Sequence, residues 1–311
     1  MNDVLTSFNA DELSKLCKTL FHQTSIAIIP LNHTGIHNIW LVKLQDKSVW
    51  ISKQIKSGSW LGALSSDAIE FNEIIASMVA DKLGITLPAH QWMNNQYLVP
   101  NCRERLLFIP YCKGRSLSSW TGRQSFLLGV LLAAMHQLPL PTTQAKPFPE
   151  IKMITANTTD FLNDKIQQCN ENRLHALSDW VTSHRDIYPA NVIWQNKDTP
   201  FLIDWESTGL IHPFVELIGV AVNAAGLITG QFNRKRFEAV LMGYKQQAGK
   251  LPRADDLLWA LCYHSWLLWL SFNWQQGQET EVQKTLFALQ QLSEYMPSMQ
   301  KIYIKLCKHT A

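Results

Sequence analysis

The chain lacks a Cys-x-x-Cys pair, a dense Lys/Arg run, an apolar stretch as long as a bilayer and any surplus of acidic residues. Each lack removes a class of function. Its six cysteines, Cys17, Cys102, Cys112, Cys169, Cys262 and Cys307, are scattered with no His at zinc-finger spacing, so they read as reduced, mostly packing thiols. A formal charge of +3 demands no polyanionic partner, and the densest basic cluster, Arg234-Lys235-Arg236, reads as the solvated end of a helix; no nucleic acid is expected. The most apolar runs, Leu217 to Gly230 and Leu257 to Leu270, fall short of the roughly 20 residues of a membrane helix and carry Asn223 or His264. Met1-Asn2-Asp3 has neither the basic nor the apolar region of a signal peptide. The expectation is a cytoplasmic protein with no membrane partner.

What remains is globular. The 311 residues, 46% hydrophobic and 17% charged, can build two lobes with a core each. The pattern changes near residue 115. Before it, strand-like segments (Ile26 to Pro30, Ile39 to Leu44, Ser48 to Ile55, Leu106 to Tyr111) surround one helical stretch, Asp67 to Leu83. After it, helical patterns cover Phe126 to Gln137, Thr158 to Gln168, Leu217 to Thr229, Arg234 to Gln247, Asp255 to Gln276 and Glu281 to Leu306. Prolines 139, 141, 147 and 149 mark a loop among the helices. The class is α+β.

One stretch, Ser183 to Ser207, interrupts the helices with short apolar runs that carry polar groups at their ends. His184-Arg185-Asp186 followed by Asn191 matches His-Arg-Asp-x-x-x-x-Asn, the catalytic-loop pattern of protein kinases. There the Asp accepts the proton of an acceptor hydroxyl and the Asn binds a Mg²⁺ that bridges nucleotide phosphates. Phe201-Leu202-Ile203-Asp204 is an apolar strand ending in a carboxylate, suited to a second contact with the metal. Turn chemistry alone would make Asp186 and Asn191 turn formers and His184 a packed ring. At average residue usage the His, Asp and Asn offsets arise by chance on the order of once in a hundred such chains.

With Ile203-Asp204-Trp205-Glu206 after that loop, the sequence resembles the aminoglycoside phosphotransferase and choline kinase superfamily, small-molecule kinases with a protein-kinase-like fold. Trp-Glu in place of Phe-Gly separates it from the protein kinases. The resemblance implies a bilobal chain: an N-lobe over residues 1–110, a hinge about 107–113 and a mostly helical C-lobe over 111–311. It also implies ATP and Mg²⁺, with Asp186 as catalytic base and Asn191 and Asp204 as metal ligands. Gly35 falls in the loop that covers the nucleotide, although a plain hairpin turn fits the same residues. Backbone groups near Phe108, Ile109 and Tyr111 would hold adenine. Lys53 alternates with Val49 and Ile51 on one strand face, where an inward apolar residue belongs, so it needs anions. The family's answer is the phosphates plus a helix Glu, with Glu73 the best match by spacing and Glu70 the alternative. Arg185 stands where the small-molecule kinases often have Gly. His136, at the end of a helix, reads as a packing or capping group.

The acceptor would be a small molecule with a hydroxyl. Glu216-Leu217, where many relatives carry an Asp, and the aromatic stretch Leu257 to Gly277 resemble the bacterial thiamine kinase and choline kinase branch. Thiamine and choline present an alcohol near a fixed positive charge, for which aromatic faces and carboxylates are suitable partners. Glu206, Trp205, Trp266 and Trp269 are the candidate acceptor contacts, against the alternative that aromatics at helical spacing form core. From Glu206 onward eight Asp/Glu face ten Lys/Arg, which does not suit a polycationic aminoglycoside. The alternatives are an aminoglycoside phosphotransferase, a nucleotide-binding pseudokinase scaffold and, less suited to the motif, a metal-dependent hydrolase.

Overall fold

The computed structural model describes residues 9–31, 37–56, 58–152 and 159–308, so the expectation for Gly35 lies outside the described residues. The chain divides into two compact units, the first made of Met1–Ser59, Ala63–Ser77 and Leu87–Cys112, the second of Trp60–Gly62, Met78–Thr86 and Lys113–Ala311.

In chain order the first part contains helix α1 (Ala10–Phe21), strands β1 (Ser25–Pro30), β2 (Asn38–Leu44) and β3 (Val49–Gln54), the short strands β4 (Gly58–Ser59) and β5 (Gly62–Ala63), helix α2 (Ser66–Leu83) and strand β6 (Leu106–Pro110). The sheet order β1-β2-β3-β6 is antiparallel throughout. Strand alternation gives it two apolar faces. One carries Trp40, Val42, Leu44, Leu106 and Phe108 and packs on Leu13 and Cys17 of α1. The other carries Leu107 and Ile109 and packs with Ile55, Ala89, Tyr97 and Ile69 of α2. Helix α1 lies outside the segments that hydrophobic periodicity marks. Its signal is a capping box: the Asn9 side chain accepts from the Glu12 N–H, and Glu12 accepts from the Asn9 N–H.

The second part follows as α3 (Gly122–His136), α4 (Asp160–Glu171), β7 (Val181–Ser183), β8 (Val192–Asn196), β9 (Thr199–Leu202), β10 (Gly209–Ile211), α5 (Pro213–Ala225), α6 (Arg234–Ala248), α7 (Asp256–Leu261), α8 (His264–Gln275) and α9 (Glu279–Lys308). Helices α3 and α6 approach through glycines: a Cβ on Gly129 would collide with the Val240 carbonyl, and one on Gly243 with the Phe126 carbonyl. This contact fixes the scaffold beneath the two small antiparallel pairs, β7 with β10 and β8 with β9. The single helix expected over Asp255 to Gln276 is two. Hydrogen bonds from Cys262 N–H to Trp259 O and Tyr263 N–H to Ala260 O tighten the turn and end α7. No described helix is long and apolar enough to cross a membrane.

Candidate active site

The pairing register assembles the motif. Val192 lies opposite Leu202 and Ile193 opposite Phe201, so Asn191 and Asp204 emerge at the same open end of the β8–β9 hairpin. The Ile203 N–H donates to the Asn191 carbonyl at 3.0 Å and closes that end. Asn191 uses its side-chain N–H groups on Asp186, at 3.0 Å to the carbonyl and 3.0 Å to Oδ2. This orients the Asn amide, turns its Oδ1 away from Asp186 and steadies the Asp carboxylate. Asn191 Oδ1 and the Asp204 carboxylate are hard oxygen donors of the kind Mg²⁺ takes, so the residues present fit that ion.

His184 is a strut. A carbonyl only accepts, so Nε2 carries the proton donated to Ile203 O at 3.0 Å, and Nδ1 accepts the Asp186 N–H at 3.3 Å. The ring ties the Asp186 backbone to the strand that presents Asp204. It is fully buried, and burial lowers its pKa despite the hydrogen bond to Ile203 and the charges of Glu216 and Asp204. The Trp205 ring meets it edge to face, with centroids 4.8 Å apart.

Two non-glycine residues of the candidate site sit in the left-handed region, Arg185 at φ +66° and Asp204 at φ +66°. Such conformations cost about 1–3 kcal/mol each and persist where the surroundings over-determine them. For Arg185 those surroundings are visible. Its guanidinium is buried and donates to the carbonyls of Ser207 (2.6 Å), Lys146 (3.0 Å) and Thr208 (3.2 Å), while its plane lies 4.5 Å from the centre of the Phe148 ring. Burial pushes its pKa down to about 9, against the charges of Glu216 and Asp186. The φ value accounts for a position that also suits Gly, and the contacts show how an Arg can stand there.

Glu216, on α5, receives the Arg185 N–H at 2.6 Å on Oε1 and His136 Nε2 at 2.7 Å on Oε2; His136 Nδ1 meets the Tyr244 hydroxyl at 3.0 Å. Burial pushes the carboxyl up, but the His136 hydrogen bond and charge, with the Arg185 N–H, hold it below the usual range. His136 is thus a packed group that braces the catalytic loop from α3. Asn223, the one amide in the apolar α5 run, donates to Ile187 O at 3.0 Å. Local sequence assigns Arg185, Glu216 and His136 no part in holding Asp186. The readable signal was charge at positions where apolar helices and strand ends leave no solvent.

Gly209 limits this arrangement. A Cβ there would stand 2.5 Å from Arg185 Cζ and 2.5 Å from Lys146 O. Gly209→Ala is expected to lower stability by about 1–3 kcal/mol. A urea midpoint equal to that of the parent protein would contradict this packing.

In the first unit, Lys53 and Glu73 are both buried, at 7% and 8% exposure. Lys53 lies opposite Leu107, on the sheet face that packs against Ile69. Glu73 follows Ile69 by one helical turn and shares its stripe. Its Oε2 accepts the Ala89 N–H at 2.9 Å. Glu70 is engaged elsewhere, its two oxygens accepting the N–H groups of Tyr97 (2.9 Å) and Leu98 (2.8 Å), which leaves Glu73 as the candidate. On β6, the Tyr111 N–H donates to Val49 O at 3.0 Å, so Tyr111 and, two residues back, Ile109 turn their backbones toward β3. Phe108 is buried and its carbonyl is taken by the His90 N–H. The outward edge at this place therefore belongs to Pro110 rather than to the three residues named from the sequence.

Around the motif, Trp205 is 5% exposed and its ring N–H donates to Thr86 Oγ1 at 2.8 Å, a packing role that removes it from the acceptor candidates. Trp266 and Trp269 are half-buried, as is Glu206. The Tyr188 phenol, between Asp186 and Asn191 in the chain, has its pKa raised by burial first and then by the charges of Asp186, Asp204, Glu206 and Glu281. Four carboxylates therefore act on one spot of a chain whose net charge is positive.

The profile of the Phosphotransferase enzyme family matches residues 33–258. The chain belongs to this family. Solved structures with the same fold include the choline kinase LicA from Streptococcus pneumoniae, at 16% identity and TM-score 0.68, covering 92% of this chain and 99% of that one. The spectinomycin phosphotransferase APH(9)-Ia, in complex with ADP and spectinomycin, aligns at 15% identity and TM-score 0.64 over 96% of this chain and 98% of its own. An amicoumacin kinase, hAmiN, in complex with AMP-PNP, Ca²⁺ and Ami, aligns at 14% identity and TM-score 0.67 over 92% of this chain and 94% of its own. A search of curated protein sequences found no match. The protein is an enzyme, a small-molecule kinase of the phosphotransferase family, and its kinase-like α+β fold agrees with the reading of the sequence.

Three buried histidines make the fold sensitive to acid. Burial lowers His184, His212 and His264 from the usual 6.5, the last two to about 4. Since the folded pKa values lie below the unfolded one, these rings contribute fully above pH 6.5, and the contribution is lost as pH falls toward 4. At pH 5 unfolding should take up roughly two to three protons on these rings. A melting temperature that stays flat between pH 6.5 and 5 would contradict this.

Proposed function

We propose that this phosphotransferase moves the γ-phosphate of ATP, with Mg²⁺, to the hydroxyl of a small cationic alcohol such as thiamine or choline, in the cytoplasm. The observation that carries the reaction class is the joining of Asp186, Asn191 and Asp204 through the Asn191 amide and the closed end of the β8–β9 hairpin. Asp186 orients the acceptor hydroxyl and takes its proton during in-line transfer, while Lys53, paired with Glu73, steadies the phosphates. Asn191 and Asp204 would hold the Mg²⁺, which neutralises charge developing on the phosphoryl oxygens. The Pro110 carbonyl, on the outward edge of β6, is the backbone group assigned to adenine.

The carboxylates acting on Tyr188 and the half-buried Trp266 and Trp269 support a cationic acceptor, with Glu206, two residues after Asp204 in the chain, as the candidate charge. A cytoplasmic location agrees with the buried free thiols of Cys17, Cys169 and Cys262. The test is ADP release by purified protein with ATP, Mg²⁺ and, in turn, thiamine, choline, ethanolamine, homoserine and kanamycin. Turnover with thiamine or choline is the expected result. Turnover with kanamycin alone, or stabilisation by ATP without any turnover, would overturn the acceptor or the enzymatic reading respectively.

A further inference from the structure

The turn Trp60–Gly62 belongs to the second unit, and its Trp60 side chain makes several contacts there. Gly58, Gly62 and Ala63 beside it are exposed, and a Cβ on either glycine would meet nothing within 4 Å. Trp60 donates its ring N–H to Ser207 Oγ at 3.2 Å. Its ring centre lies 5.7 Å from Phe148 and 6.5 Å from Trp269, the latter at 83°. Trp269 in turn stacks on Phe272 at 5.8 Å and 27°. A run of four aromatic rings thus starts at Phe148, whose face already receives the Arg185 cation, and passes the residue after Glu206.

We infer that Trp60 is a specificity-determining residue, forming with Trp269 the aromatic wall that receives the positively charged end of the acceptor. The inference rests on the cationic-alcohol reading. Both rings are only half-buried, unlike the enclosed Trp120 and Trp194, so each keeps surface for a ligand. Two indoles set nearly at right angles suit a fixed positive charge that cannot donate strong hydrogen bonds, because attraction to a ring face needs none. Ser207 keeps the wall in register with the reacting groups: its carbonyl holds Arg185 and its hydroxyl holds Trp60.

The experiment compares KM and kcat of the parent protein, Trp60→Ala, Trp60→Phe and Trp269→Ala for choline, thiamine and the neutral choline isostere in which a tert-butyl group replaces the trimethylammonium. Trp60→Ala and Trp269→Ala should each raise KM for the preferred cationic alcohol roughly tenfold, with a smaller rise for the neutral isostere. Trp60→Phe, which keeps a ring face but loses the Ser207 hydrogen bond, should fall between them and the parent. An unchanged KM in Trp60→Ala, or equal rises for cationic and neutral alcohols, would overturn the assignment of Trp60 alone. Should Trp60→Ala not fold, Trp60→Phe and Trp269→Ala carry the same comparison, and equal rises for both alcohols there would overturn it. If the parent protein turns over kanamycin but no cationic alcohol, the acceptor reading fails first and this inference falls with it.

Discussion

Asp186→Asn is expected to lower kcat by roughly 10²–10⁴ while leaving the KM for ATP little changed. An Asn at this position keeps an oxygen for the Asn191 side chain, which now donates to Asp186 Oδ2 at 3.0 Å, so the loop should hold its shape. What disappears is the capacity to take the acceptor proton. The drop therefore belongs to the chemical step and not to folding, and equal melting temperatures of variant and parent verify that separation. An undiminished kcat in a folded variant would remove Asp186 from the mechanism.

Glu216→Ala should be the most destabilising of the single changes considered, by roughly 3–5 kcal/mol, a fall in melting temperature on the order of 10 °C. The methyl group leaves two buried partners unpaired, the Arg185 N–H and His136 Nε2. The first matters for activity, because that N–H helps hold a residue at φ +66° immediately before Asp186. Glu216→Gln should lose less: its carbonyl can take the Arg185 N–H, and its amide can face His136 if the ring shifts its proton to Nδ1. Because the carboxyl sits below its usual 4.5, its contribution is present above that pH and is lost as pH falls below it. A Glu216→Ala protein with the parent's melting temperature and kcat would show that the network is not what positions the loop.

How much of this was readable varies with the range of the interaction. Helix α2, strands β1 to β3 and the α6 region followed from local periodicity, because the burial that orders them repeats every two or 3.6 residues. Helix α1 carried a local signal in Asn9 and Glu12 that periodicity does not register. The break between α7 and α8 had none, since the apolar pattern runs through Cys262 and Tyr263 without Gly or Pro. At the site, the spacing of His184, Asp186 and Asn191 is local and could be read, as could the strand ending in Asp204. Trp205 and Trp269 looked alike as sequence, yet one is enclosed with its N–H on Thr86 and the other keeps open surface. Trp60 carries no local signal, since its neighbours in the chain say nothing about Ser207, 147 positions away.

The order of residues was enough to specify the reaction class and to nominate Asp186 as a candidate base, because a catalytic loop must carry its groups within a few residues of one another. Which carboxylates, rings and backbone groups support that loop was a matter for the fold. Glu216, His136, Arg185 and Trp60 meet their partners through burial and long-range pairing, where the cost of an unpaired buried group, rather than any local preference, selects the arrangement.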